Sequence, residues 1–172
     1  MRTIFLLLFC LVTPTLPAPV VAATLNSKAV VISIADGDTF DARITGGRVI
    51  RVRFGGIDTP EHGQTHSWRS RQALRELIRG KTVDLNCYKQ DPRGRQVCRV
   101  FVAGEDVGLK MVARGAAWHF KAFVKEQTRE DQQRYAQAEQ AARTAKRGVW
   151  ASSNPMPPWE CRDRLQEAKL CR

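Results

Sequence analysis

Three short stretches of the sequence crowd carboxylates and arginines into segments that follow predicted strands. They read DGDT at residues 36–39, RFGGIDTPE at residues 53–61 and DPRGR at residues 91–95. Charged groups are costly wherever water cannot solvate them. A solvated turn would explain each stretch alone, but three such stretches together indicate that the carboxylates bind something.

The residue types in these stretches suit the hydrolysis of a phosphodiester. Two or three carboxylates with a backbone carbonyl suit a hard cation such as calcium, which takes about six to eight oxygen ligands, water included. A guanidinium group binds two phosphate oxygens at once, so two arginines beside the cation would bind a phosphate. A further carboxylate that does not bind the metal, Glu61, could take a proton from water. Cation, phosphate-binding arginines and base are the parts of a phosphodiester hydrolase.

The three stretches, together with VARGAAW at residues 112–118 and GVW at residues 148–150, resemble the motifs of the staphylococcal (micrococcal) nuclease family. The resemblance covers roughly residues 28–150. It implies an α+β fold built on a five-stranded OB-fold β-barrel with three helices. It also implies calcium-dependent cleavage of DNA and RNA that leaves 3′-phosphate and 5′-hydroxyl ends.

The resemblance further implies a role for seven residues, which all match the family in residue type. Those expected at the metal are Asp38, Asp58 and the backbone carbonyl of Thr59, with Asp36 as an outer carboxylate. Those expected to act on the scissile phosphate are the general base Glu61 and the two guanidinium groups of Arg53 and Arg95. One departure is Phe120, near which relatives often carry tyrosines. A phenylalanine cannot donate a hydroxyl hydrogen bond, but it can still stack on a base.

These features predict an exported nuclease for DNA and RNA that prefers unpaired strands, since contacts to phosphates and base faces do not read the edges of the grooves. Two alternatives stay open: an OB-fold protein that binds nucleic acid without cleaving it, and a basic surface protein that uses the barrel as a scaffold. Loss of plasmid DNA and RNA with calcium, and none with a chelator, would separate the three. We expect a monomer.

The charge balance favours an anionic partner. The sequence has 28 basic and 17 acidic side chains, for a formal net charge of +11. A field of that sign attracts polyanions, which include nucleic acid, lipopolysaccharide and acidic membrane surfaces. On the first predicted helix, a solvated face is favoured over a nucleic-acid track for four arginines, namely Arg69, Arg71, Arg75 and Arg79.

The first 23 residues are typical of a cleaved secretory signal peptide. Arg2 precedes an apolar run over residues 4–12, and small residues follow at positions 22 and 23. The run is too short to remain in a bilayer as a span. A lipoprotein site at Cys10 is the weaker reading, because the bulky Phe9 precedes it. We therefore expect a secreted or periplasmic protein with no stable membrane insertion after cleavage.

Four cysteines follow the predicted signal peptide, which in an exported chain predicts two disulfides. A four-cysteine zinc site would need paired short spacings, and none is present. Cys87 and Cys98 flank the DPRG tip almost symmetrically, so a disulfide could join them across a hairpin. Of the three possible connectivities, we therefore predict Cys87–Cys98 and Cys161–Cys171.

The hydrophobic pattern predicts one domain over residues 24–150 and a proline-rich tail over residues 151–172 with no regular element. The expected elements of the domain are a strand at 29–35, a hairpin turning at 45–47, a helix at 66–80, a hairpin at 81–104, a short helix at 105–115 and a long helix at 128–147. Ser67 is the expected cap of the first helix, and Thr128 that of the last.

Histidines and tryptophans outside the three stretches have simpler explanations. His62 and His66 are four residues apart, which on a helix could bind a transition metal. Because the chain before Ser67 is not predicted to be helical, contacts at a loop rim or solvation are favoured instead. Packing is the expected role of three tryptophans, namely Trp68, Trp118 and Trp150.

Overall fold

The computed structural model describes residues 24–166, so the predicted signal peptide and Cys171 lie outside the described residues. The strands are β1 (Leu25–Ile34), β2 (Thr39–Ile44), β3 (Val49–Phe54), β4 (Ile57–Asp58), β5 (Thr82–Gln90), β6 (Gln96–Val102), β7 (Glu105–Asp106) and β8 (Trp118–His119). The α-helices are α1 (Ser67–Ile78), α2 (Val107–Ala113), α3 (Arg129–Thr144) and α4 (Pro158–Gln166). Short 3-10 turns cover Lys121–Glu126 and Gly148–Ala151.

Five strands close into a barrel, which confirms the predicted α+β fold. The order β3-β2-β1-β5-β6 is antiparallel throughout, and a parallel pairing of β3 with β6 closes it. Alternation along β3 buries Ile50, Val52 and Phe54, as predicted, and leaves Arg51 and Arg53 on the other face. The barrel interior is therefore apolar, and Arg53 is directed away from it.

The hairpins turn where the sequence indicates. Gly46 and Gly47, both with positive φ, make the turn between β2 and β3. A disulfide joins Cys87 on β5 to Cys98 on β6, directly across the ladder, which confirms the first predicted pair. Cys161 is also disulfide-bonded, while its predicted partner lies outside the described residues.

The helices follow the predicted apolar stripes, with one error at a helix start. Leu74, Leu77 and Ile78 of α1 are buried, but Ser67 is not the cap. The cap is His66, which has a left-handed φ of 71° and makes no side-chain hydrogen bond there. At α3 the prediction is confirmed, because the Thr128 hydroxyl accepts the backbone N–H of Asp131 at 3.1 Å.

The prediction that the tail has no regular element is wrong for Pro158–Gln166, which form α4. Proline suits the first turn of a helix, because its missing N–H would be unpaired there anyway. Trp159 of α4 packs on a small apolar cluster made of Trp118, Ala142, Val149 and Trp150. This second core packs the tail against the barrel domain. Over residues 24–166, no helix has the length and apolarity needed to cross a membrane.

Two glycines in the VARGAAW and GVW motifs make these motifs meet. Gly115 and Gly148 have φ values of 66° and 54°, and the N–H of Val149 donates to the carbonyl of Gly115 at 2.9 Å. A Cβ on Gly115 would lie 2.1 Å from the carbonyl oxygen of Arg147. Glycine is therefore required for both the conformation and the close approach.

We expect Gly115→Ala to lower the free energy of unfolding by about 1–3 kcal/mol more than Gly104→Ala, because the added methyl group must displace backbone. Gly104 is a matched control, since its φ is 80° and a Cβ there meets nothing within 4 Å. Denaturant unfolding of both variants measures the difference. Equal losses would mean that left-handed strain alone, and not the contact between the two motifs, sets the cost.

Candidate active site

One cleft of about 1010 Å³ collects all three charged stretches. The turn between β1 and β2, the loop after β3 and the tip of the β5–β6 hairpin each contribute to its wall. All seven predicted site residues line it: Asp36, Asp38, Arg53, Asp58, Thr59, Glu61 and Arg95. Residues that are far apart in sequence are thus brought together as the sequence predicted.

The turn between β1 and β2 is held in a fixed shape by its own hydrogen bonds. The backbone N–H of Asp38 donates to Asp36 Oδ1 at 2.9 Å, and the carbonyl of Asp38 accepts the N–H of Phe54 at 2.9 Å. A Cβ on Gly37 would lie 2.1 Å from Ser70 Oγ on α1, so only glycine allows the turn to pack there. The turn is therefore anchored to both β3 and α1.

Asp38 and the loop after β3 are joined directly. Asp38 Oδ2 accepts the Thr59 backbone N–H at 3.0 Å and the Thr59 hydroxyl at 2.8 Å. Asp58 is fixed through the short pairing of β4 with β8, opposite Trp118. Asp38, Asp58 and Thr59 are all buried, so the three predicted metal ligands form one rigid, partly desolvated group.

Arg53 links the two buried carboxylates. Its Nη1 lies 2.8 Å from Asp38 Oδ2, and its Nη2 lies 2.9 Å from Asp58 Oδ1. Nη1 also donates to the carbonyl of Ile57 at 3.1 Å. The side chain is only 14% exposed. The structure thus places the predicted phosphate-binding arginine against the predicted metal ligands, on the floor of the cleft.

Arg95 is held at the rim by the hairpin tip. Its Nε donates to Asp91 Oδ2 at 2.7 Å, and Asp91 Oδ1 accepts the backbone N–H groups of both Arg93 and Arg95. Burial acts to raise the pKa of Asp91, but the hydrogen bonds from Arg95 and Arg93 and the Arg95 charge together hold that pKa below its ordinary value. Asp91 is therefore a charged anchor that directs Arg95 at the cleft.

The sequence model described as Staphylococcal nuclease homologue matches residues 51–152, which include most of β3, Glu61, the hairpin tip and the GVW motif. The chain belongs to the staphylococcal nuclease family. The family match and the barrel agree, because the matched segment runs from β3 through the 3-10 turn that follows α3.

Relatives in the family are described as nucleases. An uncharacterized endonuclease of Escherichia coli O157:H7 is 33% identical over 147 residues, or 85% of this chain and 90% of that protein. An uncharacterized endonuclease of Haemophilus influenzae is 31% identical, covering 80% of this chain and 75% of that protein. A probable staphylococcal-like nuclease of Oryza sativa subsp. japonica is 38% identical over 71% of this chain. The chain spans about a third, or less, of the length of such plant relatives.

The donor set of the cleft fits the hard cation that the staphylococcal nuclease family implies. Desolvation in the cleft, with the nearby Asp38 charge, raises the pKa of Asp36 to about 6, although the residue as a whole is exposed. Burial also raises the pKa of Asp58, even though Arg162 and Arg53 act against it. Carboxylates that resist ionising together are relieved by a cation among them. Among residues 24–166, however, no three His, Cys, Asp or Glu side chains stand as a ready-made metal cluster.

Arg162 of α4 is a cleft residue that sequence reasoning missed. Its Nη2 donates to Asp58 Oδ2 at 2.8 Å, while Nη1 lies 2.6 Å from Glu61 Oε1 and 3.3 Å from Asp58 Oδ1. Gln64 was also missed: its Oε1 accepts the N–H of Glu61 at 2.9 Å, and its amide donates to the carbonyl of Met156. The available signals were the proline-tryptophan start of α4 and the cysteine beside Arg162.

The predictions for the tryptophans and for the residues at the start of α1 are partly confirmed and partly wrong. Trp118 and Trp150 pack edge to face at 5.3 Å, as predicted, but the prediction of packing is wrong for Trp68, which is 69% exposed and lines the cleft. Arg71 also lines the cleft, where its Nε donates to the carbonyl of Ile34 at 3.0 Å.

His62 and His66 do not share a helix, because α1 begins after them. They could therefore not act as the helical metal-binding pair considered above, and His62 lies on the cleft wall.

We expect Arg53→Lys to lower the free energy of unfolding by about 1–3 kcal/mol in metal-free buffer, because an ammonium keeps the charge but cannot bridge Asp38 and Asp58. Arg51→Lys is the matched control on the same strand, since Arg51 is exposed and lies 3.8 Å from Asp41. Denaturant unfolding compares the two variants. A cost for Arg51→Lys as large as that for Arg53→Lys would contradict the bridging role.

Proposed function

We propose that the protein is an exported, calcium-dependent nuclease that hydrolyses phosphodiester bonds of DNA and RNA and leaves 3′-phosphate and 5′-hydroxyl ends. One observation carries the proposal: a single cleft on a staphylococcal nuclease barrel contains buried carboxylates, arginines and one further carboxylate at its edge. The cleft contains every residue type that the family motifs call for, namely Asp38, Asp58, Glu61 and two arginines. A barrel that only bound nucleic acid would not need this costly group of buried charges.

The residues of the cleft divide the work of hydrolysis. Arg53 and Arg95 bind the nonbridging oxygens of the scissile phosphate, on which negative charge grows in the transition state. Glu61 takes a proton from the water that attacks phosphorus. The new bond joins the water oxygen to phosphorus, the bond from phosphorus to O5′ breaks, and the departing oxygen takes a proton from solvent. The products are a 3′-phosphate and a 5′-hydroxyl.

Calcium fits this scheme because it binds oxygen ligands. Asp38, Asp58 and the carbonyl of Thr59 would bind it, with Asp36 as an outer carboxylate that fixes the Asp38 turn. The chemistry that the ion supplies when bound is Lewis-acid stabilisation of charge on the phosphate. Calcium suits two carboxylates, a carbonyl and water better than magnesium does, because magnesium demands near-ideal octahedral geometry.

The walls of the cleft favour unpaired nucleic acid. Trp68 and Phe123 are exposed and line it, together with Tyr88 and Phe120. Exposed aromatic rings stack on any base whose face is free, whereas a duplex hides base faces. The net charge of +11 draws any polyanion toward the protein. Single-stranded DNA and RNA are therefore the expected substrates, and a monomer is sufficient to bind them.

Two features support an exported location. The first 23 residues have the pattern of a signal peptide. The Cys87–Cys98 disulfide and the disulfide-bonded Cys161 suit an oxidising compartment, where such bonds persist. Secretion or residence in a periplasm would fit both.

Metal replacement tests the proposed function. We expect plasmid DNA and RNA to be degraded with calcium, far more slowly with magnesium alone, and not at all with a chelator. Asp38→Ala should weaken calcium binding and cleavage together, because it removes a metal ligand. Asp41→Ala, which makes the same charge change on β2, should leave both nearly unchanged. Equal rates with magnesium alone would refute the calcium site, and binding of nucleic acid without cleavage would favour the non-catalytic alternative.

Replacement of Glu61 tests the base. Glu61→Gln keeps the size of the side chain and removes its basicity, so turnover should fall by about 10²–10⁴ while calcium affinity changes little. Steady-state kinetics and calorimetry measure the two quantities. Glu105→Gln, at an exposed residue paired with Lys110, is the control. A loss of calcium affinity would make Glu61 a metal ligand, and full activity would show that another group activates the water.

A further inference from the structure

Arg162 reaches the carboxylates of the cleft from outside the barrel. It lies on α4, beyond residue 152, where the match to the staphylococcal nuclease model ends. Its guanidinium contacts both Asp58 and Glu61, the residues proposed to bind the metal and to activate the water. The tail thus supplies a positive charge at the place where the proposed cation would bind.

The contacts leave little room for a cation at Asp58. Asp58 Oδ1 accepts from Arg53 Nη2 at 2.9 Å and from Arg162 Nη1 at 3.3 Å, and Oδ2 accepts from Arg162 Nη2 at 2.8 Å. A carboxylate oxygen offers about two acceptor positions, so both positions of Oδ1 are filled. A divalent cation beside the same carboxylate would also be repelled by the guanidinium charge. The cation and Arg162 therefore compete for Asp58.

Of the two guanidinium groups on Asp58, that of Arg162 is the one that a cation can displace. The Arg53 side chain is 14% exposed and extends from β3, which is paired with β2 and β6 on its two sides. The Arg162 side chain is 34% exposed and extends from a helix of nine residues. Withdrawing Arg53 would break its ion pairs with both Asp38 and Asp58, whereas withdrawing Arg162 needs only a change of side-chain rotamer toward solvent.

The helix α4 does not depend on Arg162 for its position. The Gln64 amide donates to the carbonyl of Met156 just before α4, and Trp159 stacks on Phe120 with ring centroids 5.7 Å apart. Cys161 is fully buried and disulfide-bonded. Replacement of Arg162 should therefore leave the tail docked, so its effects can be attributed to the guanidinium.

We propose that Arg162 is a built-in competitor of the divalent cation, which occupies Asp58 and Glu61 until the cation displaces it. The proposal rests on the metal site of the proposed function and adds a control on that site. For a ligand that binds only molecules with an open site, the apparent dissociation constant is the intrinsic one divided by the fraction of open molecules. Arg162 thus sets the calcium concentration at which the cleft can bind the cation. When Arg162 is displaced, Glu61 is free to accept a proton.

Calcium affinity, measured by calorimetry on the mature chain without substrate, tests the competition. We expect Arg162→Ala to lower the calcium dissociation constant by on the order of tenfold or more. Arg162→Lys should have a smaller effect, because it keeps the charge but loses the bidentate contact. Arg164→Ala is the matched control, since Arg164 is an exposed arginine of the same helix. It removes the same charge and should leave the affinity unchanged.

A second readout follows the Arg162 side chain itself. In the wild-type protein, calcium should shift the NMR signal of the Arg162 Nε–H group and speed its exchange with solvent, because the ion breaks the contacts of the guanidinium with Asp58 and Glu61. The corresponding signal of Arg164 should stay unchanged. An unchanged or weakened calcium affinity in Arg162→Ala overturns the competition, as does an equal gain in Arg164→Ala, which would reflect charge alone. If neither the wild-type protein nor any variant binds calcium, and Asp58→Asn changes nothing, the metal site of the proposed function fails as well. The two failures are therefore distinguishable.

Discussion

The ion pairs of Arg53 with Asp38 and Asp58 are the interaction on which the rest of the cleft depends. Two buried carboxylates from different loops repel one another, and each is costly without a partner. Arg53 contacts both from near the end of β3, where the strand is paired with β2 on one side and with β6 on the other. One side chain on a rigid strand therefore fixes how far apart the two loops lie. The positions of Thr59 and Glu61 follow, because they continue the loop that Asp58 begins.

The fold was largely predictable, because its signals are local. Alternation along β3, the glycine pair between β2 and β3, and the apolar stripe of α1 each involve residues close together in the chain. The Cys87–Cys98 pair was predictable for the same reason, since both cysteines flank one hairpin tip. The seven residues expected at the site were selected by their types within three motifs, and the barrel brings all three motifs into one cleft. Their proposed roles go beyond what residue types or placement establish.

Other features depend on contacts that no local pattern records. Arg162 meets Asp58 across 104 residues of sequence, and it lies on a short helix with no apolar stripe that would predict its docking. Trp68 lies in the first turn of α1, which begins after the left-handed His66, and its side chain is exposed. In the same way, the sequence assigns Arg53 to a phosphate, whereas only the tertiary structure shows it bridging two carboxylates. Sequence patterns indicate which groups are present, but long-range packing decides which of them touch.

The parallel pairing of β3 with β6 determines the stage of folding at which the cleft is assembled. Arg53 lies opposite Val97 in that pairing, and Arg95 lies just before β6. The two arginines are therefore brought to the same side of the cleft only when the β3–β6 pairing closes the barrel, although each hairpin could form on its own earlier. Pairings between distant segments are slow to form, because the intervening chain must first be ordered. A chain in which β3 and β6 have not yet paired therefore lacks an assembled site, and the site forms as a whole when the barrel closes.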